Sequence, residues 1–366
     1  MATPLLDNME KIGAVDKNGM LNFCVDAPKH YREAADIAQK IALNYPKPSS
    51  IIVAGMGGSG IGGDLLKDWM RNKTDVPLEV NRAYQLPHYA GEKTLVVIVS
   101  YSGDTEESLS AFLDALKRKC MVYCISSGGA LLKYAEKLKV PYLQVPSGIP
   151  PRAALPYLFV PLLFCMEKAG LVSGVSEELE EALKLMENIC RDNAPEKALG
   201  ENTAKTMALN IGNTVPVIYG FGVYRSVAQR FKQQFNENSK SPAKWEFFSE
   251  LDHNEIVGWE GSGELGKCFS VIFIRDEEEP LEMRSRIETT MQIMGKADLK
   301  MLKVQAQGKA MLAKMLSVVI FGDFVSVYLA VLHGVDPTPV KTINLLKDTL
   351  KENGVKEKIM DALERL

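Results

Sequence analysis

The chain has 366 residues, 46% of them hydrophobic and 24% charged. That is too long for one ordinary compact domain and too balanced for a disordered, collagen-like or coiled-coil protein, so two domains are expected. With 43 basic residues against 46 acidic ones the net charge is −3, so nothing in the overall balance argues for a nucleic-acid or polyanion partner, and no nucleic-acid partner is expected.

In chain order, the start Met1-Ala2-Thr3-Pro4 lacks the basic and apolar regions of a secretory signal, so the expected location is cytoplasmic. A helical region runs over 1–44. Short β-branched runs then alternate with helical stretches, the pattern of strands buried on both faces of a parallel sheet. The predicted strands are 51–54, 78–81, 95–100, 121–125 and 142–145, then 215–219, 244–248, 269–274 and 301–305. Apolar runs such as 155–166 fall short of the roughly 20 residues a membrane span needs, and no membrane partner is expected. A Glu- and Leu-rich stretch, 176–196, reads as a helix joining two halves. The charged tail beyond 339 reads as helical, with Leu345, Leu346, Leu350 and Ile359 as its apolar positions.

The halves repeat. Gly55 and Gly57 recur at one constant offset as Gly220 and Gly222, each pair following a β-branched strand. Downstream, the run from Lys93 matches the run from Lys267. The expected division is 1–44 (helical region), 45–172 (first domain), 173–209 (helical connector), 210–338 (second domain) and 339–366 (tail). The six cysteines are scattered, and Cys120 and Cys124 read as small buried hydrophobes. With four histidines, a transition-metal centre would need carboxylate ligands, and none is expected.

Gly55-Met56-Gly57-Gly58-Ser59-Gly60 has the spacing of a dinucleotide fingerprint, with Glu79 in the second strand. Against that reading, the loop runs on through Gly62 and Gly63, and a second anion-binding pattern follows. Ser100-Tyr101-Ser102-Gly103-Asp104-Thr105-Glu106-Glu107-Ser108 sits between a strand and a helix. Its hydroxyls and the helix's first N–H groups suit a terminal monophosphate; the plainer reading is an N-cap at Thr105. The corresponding loop of the second half, Arg275-Asp276-Glu277-Glu278-Glu279, is acidic and expected to repel phosphate.

Taken with Pro150-Pro151-Arg152-Ala153-Ala154-Leu155-Pro156, these blocks resemble the bifunctional phosphoglucose/phosphomannose isomerases. Asn236-Glu237-Asn238-Ser239-Lys240, Leu251-Asp252-His253-Asn254-Glu255-Ile256 and Gly334-Val335-Asp336-Pro337-Thr338-Pro339-Val340 follow in that family's order. The resemblance covers roughly 30–350. It implies an α/β fold of two doubly wound, three-layer αβα parallel-sheet sugar-isomerase domains, and a homodimer whose shared sites take a histidine from the partner. The implied activity is interconversion of glucose 6-phosphate and mannose 6-phosphate with fructose 6-phosphate, without metal or organic cofactor.

Aldose–ketose isomerisation needs a proton shuttle between C2 and C1, a stabiliser of the enediolate and an acid/base for ring opening. A carboxylate suits the shuttle, and Glu237, flanked by two Asn residues, is the candidate. Arg152, on a chain stiffened by two prolines, suits the anion, and His253 suits ring opening. The resemblance also implies a ring-opening lysine near the C-terminus, Lys347 with Lys341 as the alternative, and the small Thr338 is expected to leave room for either C2 epimer. Phosphate contacts are expected from Gly57, Gly58, Ser59, Ser100, Ser102 and Thr105. The rivals are an NAD-dependent oxidoreductase, which leaves Ser100–Thr105 without a role, and a non-catalytic sugar-phosphate sensor, which leaves Arg152, Glu237 and His253 unexplained.

Overall fold

The computed structural model describes residues 5–297 and 299–366. In chain order its helices and strands are α1 (Met9–Val15), α2 (Met20–Val25), α3 (Ala27–Ala38), β1 (Ser50–Ala54), α4 (Gly57–Met70), β2 (Leu78–Asn81), β3 (Thr94–Val99), α5 (Glu106–Lys117), β4 (Met121–Ser126), α6 (Gly129–Lys137), β5 (Tyr142–Gln144), α7 (Leu155–Lys168) and α8 (Val175–Asp192). They continue as α9 (Thr203–Ile211), β6 (Val215–Phe221), α10 (Tyr224–Glu237), β7 (Lys244–Phe248), α11 (Glu255–Glu260), β8 (Phe269–Arg275), α12 (Leu281–Met294), β9 (Lys300–Gln305), α13 (Met311–Leu332), α14 (Lys341–Lys351) and α15 (Val355–Glu364). All nine expected strands are present, with ends shifted by one or two residues at most. Two compact units result: the first domain holds residues 29–176 and 340–366, the second holds 1–28 and 177–339. The helical ends are thus shared out: α1 and α2 go with the second sheet, the tail with the first.

The first domain is built on a parallel sheet of order β2-β1-β3-β4-β5. Every residue of β1, β3 and β4 is buried, which is why these strands are continuous apolar runs rather than alternating ones. Successive side chains point to opposite faces. Ile52, Val96, Ile98, Val122 and Cys124 pack with Phe112 of α5 and Leu131 of α6. On the opposite face α4 and α7 pack together, and Gly63 lies so close to Val53 that a Cβ would come within 2.9 Å of it. Burial pushes the Cys124 thiol well up, as suits a small hydrophobe.

The tail closes this domain. Ile359 and Leu363 of α15 are buried in the same core as α5 and α6, a gain of about 1.5–3 kcal/mol each. Leu345, Leu346 and Leu350, the other apolar positions of the tail, lie on α14 and are exposed. Glu364 accepts hydrogen bonds from Lys137 (2.7 Å), Tyr134 (2.9 Å) and Lys133 (3.3 Å), which together draw its carboxyl down to about 2. Because that folded value lies below the ordinary 4.5, the anchoring is present above pH 4.5 and disappears as pH falls through about 2. Glu364→Gln should therefore lower the melting temperature at pH 7 and leave it equal to wild type near pH 2. A pH-independent difference in a thermal melt series would contradict this.

The second domain repeats the plan as a four-stranded parallel sheet of order β7-β6-β8-β9. Its matched glycines have matched reasons. A Cβ on Gly55 would meet Val99 O at 2.8 Å and Ser59 Cβ at 3.2 Å, and one on Gly220 would meet Tyr224 O at 2.2 Å, four residues on in both cases. Gly57 and Gly222 both have positive φ, 52° and 49°, at the turn into the helix. Sheet register fixes a second correspondence. Ser50 pairs with Thr94 and Val215 with Phe269, so Thr94 of β3 answers to Phe269 of β8 and Lys93 to Cys268. Matching Lys93 with Lys267 is one residue short, because a slip within a uniformly apolar strand leaves the residue types alike while reversing every face. At 22 residues, α13 is long and apolar enough to cross a membrane, contrary to expectation, but it is mostly buried, packed on α9 and α10.

Candidate active site

In a parallel sheet of order 2-1-3-4-5 the connections leave β1 and β3 in opposite directions, opening a crevice beyond their carboxyl ends. The two glycine- and hydroxyl-rich loops lie there, one after β1 and one after β3. Ser59, in the first turn of α4, is buried and its Oγ accepts the Tyr101 N–H at 3.2 Å, tying the two loops together. Ser100 is also buried; its hydroxyl donates to Thr105 Oγ1 at 3.1 Å and accepts the Gly103 N–H at 3.2 Å. Ser102 is exposed, with its Oγ accepting the Asp104 N–H. Thr105 occupies the N-cap position of α5 but makes no capping bond, so the hydroxyl-rich stretch is not spent on a cap. Gly57 has open space where a Cβ would be, and a Cβ on Gly58 would lie 2.9 Å from Pro151 O and 3.7 Å from Arg152 Cα.

Arg152 is thereby seated against the glycine loop. It is 2% exposed, in a turn between Pro151 and α7. Tyr101 supports the same turn, which sequence reasoning missed. Its hydroxyl donates to Pro146 O (3.0 Å) and accepts the Ile149 N–H (2.9 Å), and burial pushes it up against that N–H bond, so it stays a donor. Its place between the two loop serines was the one signal, but a bond between residues so far apart in the chain has no local signature. Asp104 accepts from Ala130 N–H (3.3 Å) and from Lys356 Nζ (2.9 Å), a second support outside the expected set. Lys347 and Lys341 lie on α14, whose side chains are exposed; Lys356 is the tail lysine that reaches the loop.

The residues that suggested a dinucleotide are engaged elsewhere. Glu79 is exposed on the edge strand and accepts from Tyr89 OH (2.8 Å), and Gly60 is required because a Cβ would meet Gly55 O at 2.6 Å.

In the second domain Glu237 ends α10 and is half-buried. Its surroundings are tied down from several sides: Asn236 donates to Ser241 O (2.9 Å), Asn238 to Ser326 Oγ (2.9 Å), Ser239 to Ser326 O (2.7 Å), and Lys240 Nζ to both Glu237 O (2.5 Å) and Pro337 O (3.0 Å). Lys240 thus joins the block around Glu237 to the one that carries Thr338. His253 follows β7, at the carboxyl edge of the sheet, and is exposed. Asp252 beside it is anchored by Arg286 (3.1 Å) and Thr290 (2.9 Å). Since α10 runs back from the carboxyl edge for 14 residues, about 21 Å, Glu237 lies toward the amino edge of the same sheet. One copy of this domain does not bring Glu237 and His253 together.

Residues 45–136 match the SIS domain family and residues 200–350 the bacterial phospho-glucose isomerase C-terminal SIS domain. The chain is 39% identical to the bifunctional phosphoglucose/phosphomannose isomerase of Caldicellulosiruptor bescii over 91% of this chain and 99% of that one. It is 36% identical to the protein of the same name from Thermoplasma acidophilum, over 82% and 89%. In fold it is similar to a hypothetical protein from Thermus thermophilus, with a TM-score of 0.69 and 18% identity over 92% of this chain and 90% of that one. Sequence blocks, two sugar-isomerase sheets and identity over nearly the whole length agree: the chain belongs to the bifunctional phosphoglucose/phosphomannose isomerase family.

Proposed function

We propose that the protein is a metal-independent aldose–ketose isomerase that interconverts glucose 6-phosphate and mannose 6-phosphate with fructose 6-phosphate through a cis-enediolate. The observation that carries this reading is the pair of loops at the first sheet's crevice, with buried Arg152 seated against Gly58. The phosphate takes the backbone N–H groups around Gly57 and Gly58 and the hydroxyls of Ser59, Ser100, Ser102 and Thr105. Arg152 stabilises the enediolate, a charge fixed in place before it is needed. Glu237 carries the proton between C2 and C1, and His253, helped by Lys347, opens the ring.

A substrate a few ångströms long cannot reach both edges of one second domain, so Glu237 and His253 come from two copies. This supports a homodimer with shared sites. The six free cysteines suit a reducing, cytoplasmic setting.

The test is conversion of fructose 6-phosphate in the presence of EDTA, with both aldose phosphates quantified. Both products are expected at rates unaffected by the chelator. Loss of turnover in EDTA would remove the metal-independent mechanism, and binding without turnover would favour the sensor.

A further inference from the structure

The second domain has the same crevice, beyond β6 and β8, and its loops correspond to those of the first position by position. Tyr224 stands where Ser59 does, counted from the repeated glycines, and Arg275 and Asp276 stand where Ser100 and Tyr101 do, counted along the matched strands. Even the tie between loops recurs: Ser59 meets Tyr101, and Tyr224 OH donates to Asp276 Oδ2 at 2.5 Å. The contents differ. The neutral serine is replaced by an arginine, and an anion already lies on it. Glu279, 6% exposed, takes Arg275 Nε at 2.6 Å and Nη2 at 2.7 Å, and its Oε1 also accepts the Asp276 N–H at 2.9 Å. A planar two-point guanidinium grip plus a backbone N–H is how proteins hold an oxyanion. Lys314 adds a second cation, on Asp276 (3.1 Å) and Glu278 (2.5 Å). Asp276, Glu278 and Glu279 are thus paired with Arg275 and Lys314, and the acidic run is neutralised in part from within.

We propose that the crevice of the second domain is a masked oxyanion site, with the Glu279 carboxylate as its built-in occupant. Masking confines the phosphate of a substrate to the first domain. Removing the carboxylate leaves Arg275, with the exposed Glu288 carboxylate 3.6 Å from its Nη2, and the Asp276 N–H to take a free oxyanion, with inorganic phosphate as the probe.

The experiment is thermal unfolding of wild type, Glu279→Ala and the double variant Arg275→Ala/Glu279→Ala, in phosphate and in sodium chloride of equal ionic strength. Glu279→Ala is expected to melt lower than wild type in chloride and to gain about 2–4 °C more than wild type on adding phosphate at several times its dissociation constant. The double variant should lose that extra gain. A folded Glu279→Ala with no more response than wild type would overturn the proposal. If Glu279→Ala is unfolded in chloride, phosphate during refolding should restore it; failure to restore it, together with a folded Glu279→Gln that gains no phosphate response, would also overturn it. Phosphate bound in the first domain contributes equally to every protein compared and no turnover is read, so failure of the isomerase reading leaves this result intact.

Discussion

Glu237→Gln should lower kcat for fructose 6-phosphate by about 10²–10⁴-fold, the range for losing a positioned general base, and should lower formation of glucose 6-phosphate and mannose 6-phosphate together. In the proposed mechanism one carboxylate serves both products, because the proton leaves and returns at the same two carbons whichever epimer forms. The amide is nearly isosteric, and the helix end is held by other groups, namely Asn236 on Ser241, Asn238 and Ser239 on Ser326, and Lys240 on Pro337. The melting temperature and the affinity for fructose 6-phosphate should accordingly stay close to wild type. Steady-state kinetics of both products beside a binding titration make the check. A variant that keeps more than a tenth of wild-type kcat removes Glu237 from the role.

Gly103→Ala should be the most damaging single substitution in the loop after β3. Gly103 has φ +70°, and a Cβ there would fall 1.8 Å from Gly128 O, 2.7 Å from Gly128 C and 2.9 Å from Ser126 Oγ. The nearest of these are backbone atoms of the neighbouring loop and cannot swing aside. Gly103 also donates its N–H to Ser100 O (3.1 Å) and accepts the Leu131 N–H (2.9 Å), so moving it disturbs both the serine and the start of α6. Strain and clash together belong at the large end of single-residue effects, about 3–5 kcal/mol, or on the order of 10 °C in melting temperature. Binding of fructose 6-phosphate should fall with it. Gly91→Ala, where a Cβ meets nothing within 4 Å and φ is not positive, is the matched control and should be silent in the same melt. Equal melting temperatures for the two variants would refute the steric argument.

Much of this molecule is legible locally. Buried parallel strands announce themselves as β-branched runs. Gly220 is forced by the Tyr224 carbonyl four residues on, and Gly57 and Gly222 by their positive φ, whereas Gly55 is pressed hardest by Val99 O from the neighbouring strand. The same locality limits what a short pattern can say. The fingerprint at Gly55–Gly60 describes one turn and not the strand order that separates a dinucleotide crevice from this one. The leucines of α14 have helical spacing, but spacing does not say whether anything packs on them, and they are exposed while Ile359 and Leu363 of α15 are buried.

The sequence by itself determined the elements, the repeat and the residue types of the candidate site, because each rests on interactions within a turn or two of chain. Tertiary structure alone decided that Tyr101 and Gly58 support the turn of Arg152, that Lys356 reaches Asp104, that Glu237 and His253 face opposite edges of one sheet, and that Glu279 fills the second crevice. The first two depend on residues brought together from distant parts of the chain, and the third on the direction in which α10 runs back along its sheet. The fourth depends on a charge balance that a run of acidic letters hides: Arg275 and Lys314 turn an apparent repulsion into closed ion pairs, and only packing puts Lys314 beside that loop.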